Sequence, residues 1–273
     1  LLVSTLNNPF FVDLRDGAQA AAKDLGVDLM VSDAQNDSST QQNQAQNAQS
    51  QGAKAVIINP VDSDAASPAV APLLSSSLPV ISVDRSVTGE DVTSHIASDN
   101  VAGGAQAADE LAKAVGEKGK VIILQGTPGA ASTRDRGDGF KKEIKKYSGI
   151  EVVAEQTANF DRAEALDVTT NLMQSNPDVV GIYAENDEMA LGAIQSLGSK
   201  AGADVKIFGF DGTEDGLKAV SNGTMVGTIA QQPKELGKKA VEAAVKAIKG
   251  ESVEKTESIE VKTVTKGNVA DFQ

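Results

Sequence analysis

The sequence predicts an α/β protein built from doubly wound parallel sheets, and two observations lead to this prediction. Short continuous runs of Val, Ile and Leu recur along the chain, as expected of strands that are buried on both faces of a parallel sheet. Amphipathic helical stretches such as 104–115 and 235–249 separate these runs, and alternating strands and helices favour parallel sheets. The predicted strands are 1–5, 29–33, 55–59, 79–84, 94–99, 120–125, 151–157, 179–185, 205–211 and 226–231.

The number of predicted strands indicates two similar domains. All of them together are many for one sheet, so two sheets of about five strands each are the simpler arrangement. We expect the join near residues 98–101, and we expect the helix at 233–249 to return to the first domain. The predicted ranges are 1–98 plus 232–260 for an N-terminal lobe and 99–231 plus 261–273 for a C-terminal lobe.

Residues 40–51 are rich in Gln, Asn and Ala, which is compatible with disorder or with a solvated surface helix. Ser39 is a candidate helix cap and Gly52 a candidate stop. A predicted strand follows directly, so the helix is favoured.

The composition excludes several classes of function. The formal net charge is −13, which argues against nucleic-acid binding because that function needs clustered Lys and Arg. The chain has no Cys, so disulfides and thiolate chemistry are absent. No apolar run is long enough to span a membrane, and no signal peptide is visible. Because residue 1 already lies in a predicted strand, we expect the natural chain to begin earlier, and a removed leader or lipid anchor stays open.

The segment after the first strand has the pattern of a binding site. The strand breaks at Asn7-Asn8-Pro9, a turn signal, and two aromatic residues, Phe10 and Phe11, follow. A strand that ends in a polar turn and opens a helix is where open α/β sheets bind ligands. Flat aromatic faces beside the Asn8 amide suit a small, hydroxyl-rich molecule. The alternative is that both Phe residues belong to the core of the first helix.

Polar residues follow the carboxyl ends of four other predicted strands. They are Asp84-Arg85, 185–188, 211–213 and Gln231-Gln232. In parallel sheets such ends lie on one edge, beside the ligand crevice. The alternative for each residue is a helix N-cap, although Arg85 and Gln231 are not typical caps.

Two further segments carry candidate ligand-binding residues. An Arg-Asp-Arg-Gly run, 134–137, enters a helix after a loop with two glycines, and this loop matches neither phosphate-binding fingerprint. An Arg at a helix start opposes the macrodipole, which indicates that at least one of these Arg side chains faces a ligand or partner. Phe160 is placed just after the strand 151–157.

The sequence gives little support for catalysis. Asp84, Asp211 and Glu188 are candidates for the paired carboxylates of a glycosidase. Neighbouring Arg and amide groups favour ionised carboxylates over an acid of raised pKa. The single His, His95, lies within a predicted strand, and no nucleophile elbow or metal-binding motif is present. We therefore expect no enzymatic activity, no catalytic residues, no metal and no cofactor.

The chain resembles the ribose-binding branch of the pentose/hexose periplasmic-binding-protein family. The matching stretches are 4–11, 59–64, 94–100, 186–192 and 209–213, and the resemblance extends from residue 1 to about 260. The resemblance implies the type I fold: two Rossmann-like domains, joined by a three-crossing hinge, that close around one sugar in the cleft. The tail after Glu260 matches poorly, and nothing is transferred to it.

The resemblance also implies a ligand, partners and a set of ligand-binding residues. The ligand is D-ribose, the main partner is a membrane ABC permease with a chemoreceptor as a further candidate, and the protein is a monomer. The location is periplasmic or extracellular, with a soluble or lipid-anchored form left open. The implied ligand-binding residues are Asn8, Phe10, Phe11, Asp84, Arg85, Arg136, Phe160, Asn186, Asp211 and Gln231.

Two other functions remain open on the sequence. The same fold binds other sugars in this family, so allose, galactose, xylose or a furanose signalling molecule are alternatives. The effector core of a LacI-type repressor shares the fold, but it needs a DNA-binding headpiece before residue 1, and this chain is acidic.

Overall fold

The computed structural model describes residues 1–273, which form twelve strands and nine α-helices. In chain order the elements are β1 (Leu2–Val3), α1 (Pro9–Leu25), β2 (Ser32–Asp33), α2 (Ser38–Ser50), β3 (Val56–Ile58), α3 (Ser67–Ser75), β4 (Val80–Val83), β5 (Ser94–Ser98), α4 (Asn100–Ala114), β6 (Lys118–Gln125), α5 (Ala131–Ile144), β7 (Gly149–Thr157), α6 (Arg162–Ser175), β8 (Val179–Ala184), α7 (Asp187–Leu197), β9 (Lys206–Asp211), α8 (Glu214–Asn222), β10 (Gly227–Ala230), α9 (Pro233–Ile248), β11 (Thr256–Ile259) and β12 (Lys262–Thr265). Two short 3-10 helices cover Gly198–Lys200 and Val269–Asp271.

The chain divides into two compact units, each discontinuous in sequence. The first unit contains Leu1–Ser98, Gly129–Ala131 and Gln232–Glu260, and the second contains Asp99–Pro128, Ser132–Gln231 and Val261–Gln273. The three residues Gly129–Ala131 belong to the first unit because Ser63 holds them: its backbone N–H donates to the Gly129 carbonyl at 3.1 Å, and its hydroxyl accepts from the Ala131 N–H at 3.1 Å.

The first unit is a six-stranded parallel sheet in the order β11-β5-β4-β3-β1-β2. Alternate residues of its strands pack against different helices. Val3 and Ile81 lie in one apolar cluster with α1 and α9, and Ile58 and Val80 lie in another with α2 and α3. The continuous apolar strands of the sequence are therefore explained by burial on both faces.

The second unit repeats this arrangement with one difference at the edge. Its sheet has the order β12-β10-β9-β8-β6-β7, and β12 pairs antiparallel with β10 while the other pairs are parallel. Ile122 packs among residues of α6, α7 and α8, and Ile123 packs among residues of α4 and α5. The predicted α/β fold with mostly parallel sheets is confirmed.

Helix starts follow strand ends closely because polar side chains cap them. Asn8, Asp161, Asn186 and Thr213 accept hydrogen bonds from the first backbone N–H groups of α1, α6, α7 and α8. The first residue of α1 is Pro9, whose missing N–H costs nothing at that position. Side chains at the carboxyl edge of each sheet are therefore placed by rigid elements.

The structure corrects three local predictions. β11 and β12 were not predicted, so each sheet has six strands rather than about five. The helix predicted at 40–51 is α2, but Asp37 caps it instead of Ser39, through a 2.5 Å bond from the Thr40 N–H. The first strand is limited to Leu2–Val3, because the following residues already turn toward α1.

Candidate functional site

The ten predicted ligand-binding residues form one cluster in each unit. The first-unit cluster is Asn8, Phe10, Phe11, Asp84 and Arg85, and the second-unit cluster is Arg136, Phe160, Asn186, Asp211 and Gln231. Each cluster lies at the carboxyl ends of the strands of its own sheet.

The aromatic pair of the first unit packs at the start of α1. Phe10 and Phe11 are each 4% exposed, and their rings meet edge to face with centroids 5.2 Å apart. Asn8 is half-buried and accepts from the Phe10 N–H at 2.9 Å, so its oxygen caps the helix while its amide nitrogen has no bond to the protein. Phe10 and Phe11 therefore pack in the core around α1, and Asn8 caps that helix.

Asp84 follows β4 in a backbone conformation that favours glycine, with φ at +65°. It is 4% exposed, and its Oδ2 accepts from the Asn59 amide at 3.0 Å. Asn59, which is fully buried, also accepts from the Ser4 N–H at 3.1 Å. Asn59 thus fixes Asp84 against β1, and Asp84 is not a helix cap.

Arg85 is a buried cation that is held mainly by backbone carbonyls. Its Nη1 donates to the carbonyls of Pro60 and Val61 at 3.1 and 3.0 Å, and its guanidinium lies 5.4 Å from the Phe11 ring centroid. The Nε atom is 3.7 Å from Asp84 Oδ2. These contacts connect the aromatic and charged members of the first-unit cluster.

Arg136 is the centre of the second-unit cluster and is 3% exposed. Its Nε donates to Asn100 Oδ1 at 2.8 Å, and its Nη1 donates to the Glu185 carbonyl at 2.6 Å. The guanidinium stacks on Phe210 at 3.8 Å from the ring centroid and lies 5.8 Å from the Phe160 centroid. Its orientation is therefore fixed by four neighbours of different kinds.

Phe160 and Asn186 are joined through the backbone. Phe160 is partly buried and has φ at +59°, and its carbonyl accepts from Asn186 Nδ2 at 3.4 Å. The Asn186 oxygen accepts from the Met189 N–H at 2.9 Å, so the capping interpretation is right for this residue. Gly126 lies directly beside the Phe160 ring, because a Cβ built there would come within 2.0 Å of it.

Asp211 and Gln231 end neighbouring strands and bind each other. Gln231 Nε2 donates to Asp211 Oδ1 at 2.7 Å, and Arg136 Nη1 lies 3.5 Å from the same oxygen. Asp211 has φ at +120°, and Thr213, not Asp211, caps α8. Gln231 Oε1 is buried and has no hydrogen-bond partner, which is uncommon for a buried acceptor.

Glu185 is a buried carboxyl that belongs to the predicted polar strand end 185–188 but not to the implied ligand-binding residues. Its Oε2 accepts from the Gly126 N–H at 2.8 Å, and its Oε1 has no hydrogen-bond partner. Burial raises its pKa to about 8, although the Gly126 amide and the charges of Arg136 and Lys141 act in the opposite direction. Asn59 and Asn100 were missed in the same way, because tertiary packing alone brings them to Asp84 and Arg136.

His95 and Glu188, the other residues considered for catalysis, lie outside the two clusters. His95 Nδ1 is 2.8 Å from the Ser82 hydroxyl within the first sheet, and burial lowers its pKa. Glu188 forms a bidentate pair with Arg162, at 2.9 and 2.8 Å.

No group of three or more His, Cys, Asp or Glu side chains is arranged to hold a metal ion. None of the helices has the length and apolar character that crossing a membrane requires.

Comparison with known proteins decides the family. The family model described as "Periplasmic binding protein domain" matches residues 1–252. The chain belongs to the periplasmic binding protein family. The membership expected from the sequence motifs is thereby confirmed.

Relatives and solved structures cover nearly the whole chain. The ribose import binding protein of Salmonella typhimurium is 48% identical over 266 residues, which is 97% of this chain and 90% of the relative. The ribose import binding protein of Bacillus subtilis is 44% identical, over 97% of this chain and 86% of the relative. A solute binding protein of an ABC transporter from Bacillus halodurans, solved with bound myo-inositol, has a TM-score of 0.94 at 33% identity, covering 99% of this chain and 95% of that one.

Proposed function

We propose that this protein is an extracytoplasmic solute-binding protein that captures D-ribose and delivers it to an ABC permease. The observation that carries the proposal is the second-unit cluster, where Arg136, Asp211 and Gln231 present charged and amide groups from fixed positions. Gln231 Oε1 is a buried acceptor that lacks a donor, and a sugar hydroxyl supplies one. The ribose import binding proteins among its relatives support the same ligand.

Each polar residue has a role that matches its chemistry. The carboxylates of Asp84 and Asp211 accept sugar hydroxyl protons, while Arg85 and Arg136 donate from rigid guanidinium groups. The amides of Asn8, Asn186 and Gln231 complete the hydrogen bonding. Bonds to charged groups are each worth roughly 1.5–3 kcal/mol net, so a sugar that lacks one hydroxyl leaves a costly unpaired group.

The aromatic residues recognise the apolar C–H faces of the sugar ring. Phe11 and Phe160 stack on the two faces, and Phe10 closes the edge. In this proposal, the two clusters act on one sugar in the cleft between the lobes. Hinge closure follows, because contacts from both lobes form only in the closed state and the sugar shifts the population toward it.

The proposal includes location, partners and the absence of chemistry. The protein acts in the periplasm or outside the cell, as a monomer, and returns its sugar unchanged. The permease recognises the closed state, and a chemoreceptor is a further candidate partner.

The first experiment is thermal unfolding of ligand-free protein with a panel of sugars. The protein is refolded from denaturant to remove carried-over sugar, and unfolding is followed by circular dichroism because the chain has no Trp. D-ribose at about a thousand times its dissociation constant stabilises by roughly 4 kcal/mol, a shift on the order of 10 °C. Recovery of unchanged D-ribose after long incubation tests the absence of turnover.

A second candidate ligand class is another sugar or a cyclic polyol. The observation in its favour is the close structural similarity to a protein solved with myo-inositol. A shift with allose, galactose, xylose or myo-inositol, and none with D-ribose, keeps the transport function and changes the ligand. The absence of a shift with every sugar contradicts the proposed function and favours a sensor core with an unrelated effector.

A further inference from the structure

Asp187 is a fully buried carboxylate that joins three elements of the second unit. It is the first residue of α7 and follows Asn186 directly. Its Oδ2 accepts from the backbone N–H and the hydroxyl of Thr213, at 2.8 and 3.1 Å. Its Oδ1 accepts from the Thr228 hydroxyl in β10 at 2.7 Å. One side chain therefore connects α7, the turn after β9, and β10.

Two glycines make the space that this carboxylate occupies. A Cβ at Gly209 would lie 2.3 Å from Asp187 Oδ1, and a Cβ at Gly216 would lie 2.2 Å from Oδ2. Any larger residue at either position displaces the carboxylate or the backbone. Only glycine at these two positions therefore allows the backbones of β9 and α8 to lie this close to the Asp187 carboxylate.

The turn held by Asp187 is the one that carries Asp211. Asp211 has φ at +120° and Gly212 has φ at +72°. A non-glycine residue in that region persists only where its surroundings hold it there. The next residue, Thr213, is bound to Asp187 through both its backbone and its side chain.

The same carboxylate also fixes the partner of Asp211. Thr228 lies in β10, and Gln231 follows the end of that strand. Gln231 donates to Asp211 through its side chain, at 2.7 Å, and through its backbone, at 2.9 Å. Burial raises the pKa of Asp187, while the hydrogen bonds from Thr213 and Thr228 oppose the rise.

We propose that Asp187 is a positioning residue that sets the orientation of Asp211 and thereby the sugar affinity of the second-unit cluster. It does this without contacting the sugar, because it is fully buried and both of its oxygens already accept hydrogen bonds from Thr213 and Thr228. The inference rests on the function proposed above.

The test compares Asp187→Asn and Thr228→Val with a neighbouring control, Glu188→Gln. Glu188 is the next residue of the same helix, but it pairs with Arg162 instead. Amide hydrogen exchange is measured on ligand-free protein, and D-ribose affinity is measured by calorimetry. In the two test variants we expect exchange at 211–216 to rise about tenfold or more, and affinity to fall about tenfold. We expect Glu188→Gln to stay within about twofold of wild type in both measurements.

A double-mutant cycle separates positioning from general structure. If Asp187 acts through Asp211, the affinity loss of Asp187→Asn shrinks to about twofold or less in an Asp211→Asn background. Asp211→Asn keeps the shape of the side chain and one acceptor oxygen but removes the charge, so weak binding stays measurable at millimolar sugar.

The outcomes are distinguishable. Wild type that binds no sugar overturns the proposed function and this inference with it. Wild type that binds D-ribose while Asp187→Asn binds equally well overturns the inference alone. An additive cycle, or a loss of exchange protection spread evenly over the second unit, also overturns it, because both indicate a merely structural role.

Discussion

Arg136 Nη1 faces Asp211 Oδ1 at 3.5 Å, and both side chains are only 4% exposed. Each of the two charged groups also forms hydrogen bonds with other residues. Asn100 and the Glu185 carbonyl accept from Arg136, and Gln231 donates to Asp211. A buried pair of this kind is costly to assemble, and removing one partner leaves the other charge uncompensated. This cost is consistent with the proposal that the two groups bind a polar ligand.

Replacing either member of this pair is expected to abolish tight D-ribose binding. Arg136→Ala removes a fixed donor and leaves the Asp211 carboxylate buried beside Gln231. Asp211→Ala removes the carboxylate and leaves the Arg136 guanidinium buried without it. Truncating one partner of a buried charge pair costs about 2–5 kcal/mol, which corresponds to at least about thirtyfold in affinity. Calorimetric titration with D-ribose measures the loss.

The matched control for Arg136→Ala is Arg15→Ala, since Arg15 binds only its neighbour Asp16 at the surface. We expect that control to bind like wild type. Wild-type affinity in both Arg136→Ala and Asp211→Ala contradicts the assignment of the second-unit cluster.

Phe160→Ala is expected to weaken binding of all pentoses by a similar factor. A stacking ring recognises C–H faces that these sugars share, so its loss removes affinity without changing preference. Competition titrations of D-ribose against xylose and arabinose give the ratios. Phe272→Ala is the control, because Phe272 is also partly buried against the same apolar cluster. A changed preference with unchanged D-ribose affinity argues against stacking.

Gly126→Ala tests the same ring without deleting it. The new methyl group would lie within 2.0 Å of the Phe160 ring, so the ring must move. We expect weaker D-ribose binding, about tenfold, with a loss of stability of about 1–3 kcal/mol from overpacking. Gly267→Ala is the control, since its nearest neighbour is 3.7 Å from a Cβ. Unchanged affinity in Gly126→Ala means that the position of Phe160 does not matter for the sugar.

Glu185 predicts a specific pH dependence of stability. Its pKa is about 8 in the folded protein against an ordinary 4.5, so the folded state holds the proton more tightly than the unfolded state. This contribution to the free energy of unfolding is complete below the ordinary value and is lost as pH rises toward about 8, by at most about 1.4 kcal/mol per pH unit.

Glu185→Gln removes this titration. We expect the stability of the variant relative to wild type to rise between pH 4.5 and about 8, and to level off above that. Urea unfolding followed by circular dichroism at half-unit pH steps gives the difference. A difference that is flat across this window means that the buried carboxyl is ionised throughout.

The sequence predicted the elements with strong local signals. Continuous apolar runs marked ten strands, and polar residues at their ends marked Asp84 and Asp211, which are buried at the carboxyl ends of the two sheets. Asn186 was ambiguous on sequence because one side chain caps a helix and also reaches the Phe160 carbonyl. Its dual role is visible only once α6 and α7 are packed.

What the sequence did not predict depends on tertiary contacts. β11 and β12 carry polar residues on their exposed sides, as in Thr256-Glu257-Ser258, so they lack the continuous apolar pattern. Asn59, Asn100 and Asp187 lie 25 or more residues along the chain from the groups that they bind, so no local pattern connects them. The ten ligand-binding residues themselves stay predictions until the variants above are measured.

The two late strands have a consequence for the order of folding. Residues 256–259 form an edge strand of the first sheet and residues 262–265 form an edge strand of the second. A single short stretch of the chain therefore supplies one edge strand to each sheet. During synthesis, β5 and β10 are the edge strands on this side of their sheets until residues 256–265 have left the ribosome. Open strand edges invite pairing with other chains. Residues 256–265 therefore decide which strand each sheet exposes to such pairing on this side: β5 and β10 before they dock, β11 and β12 afterwards.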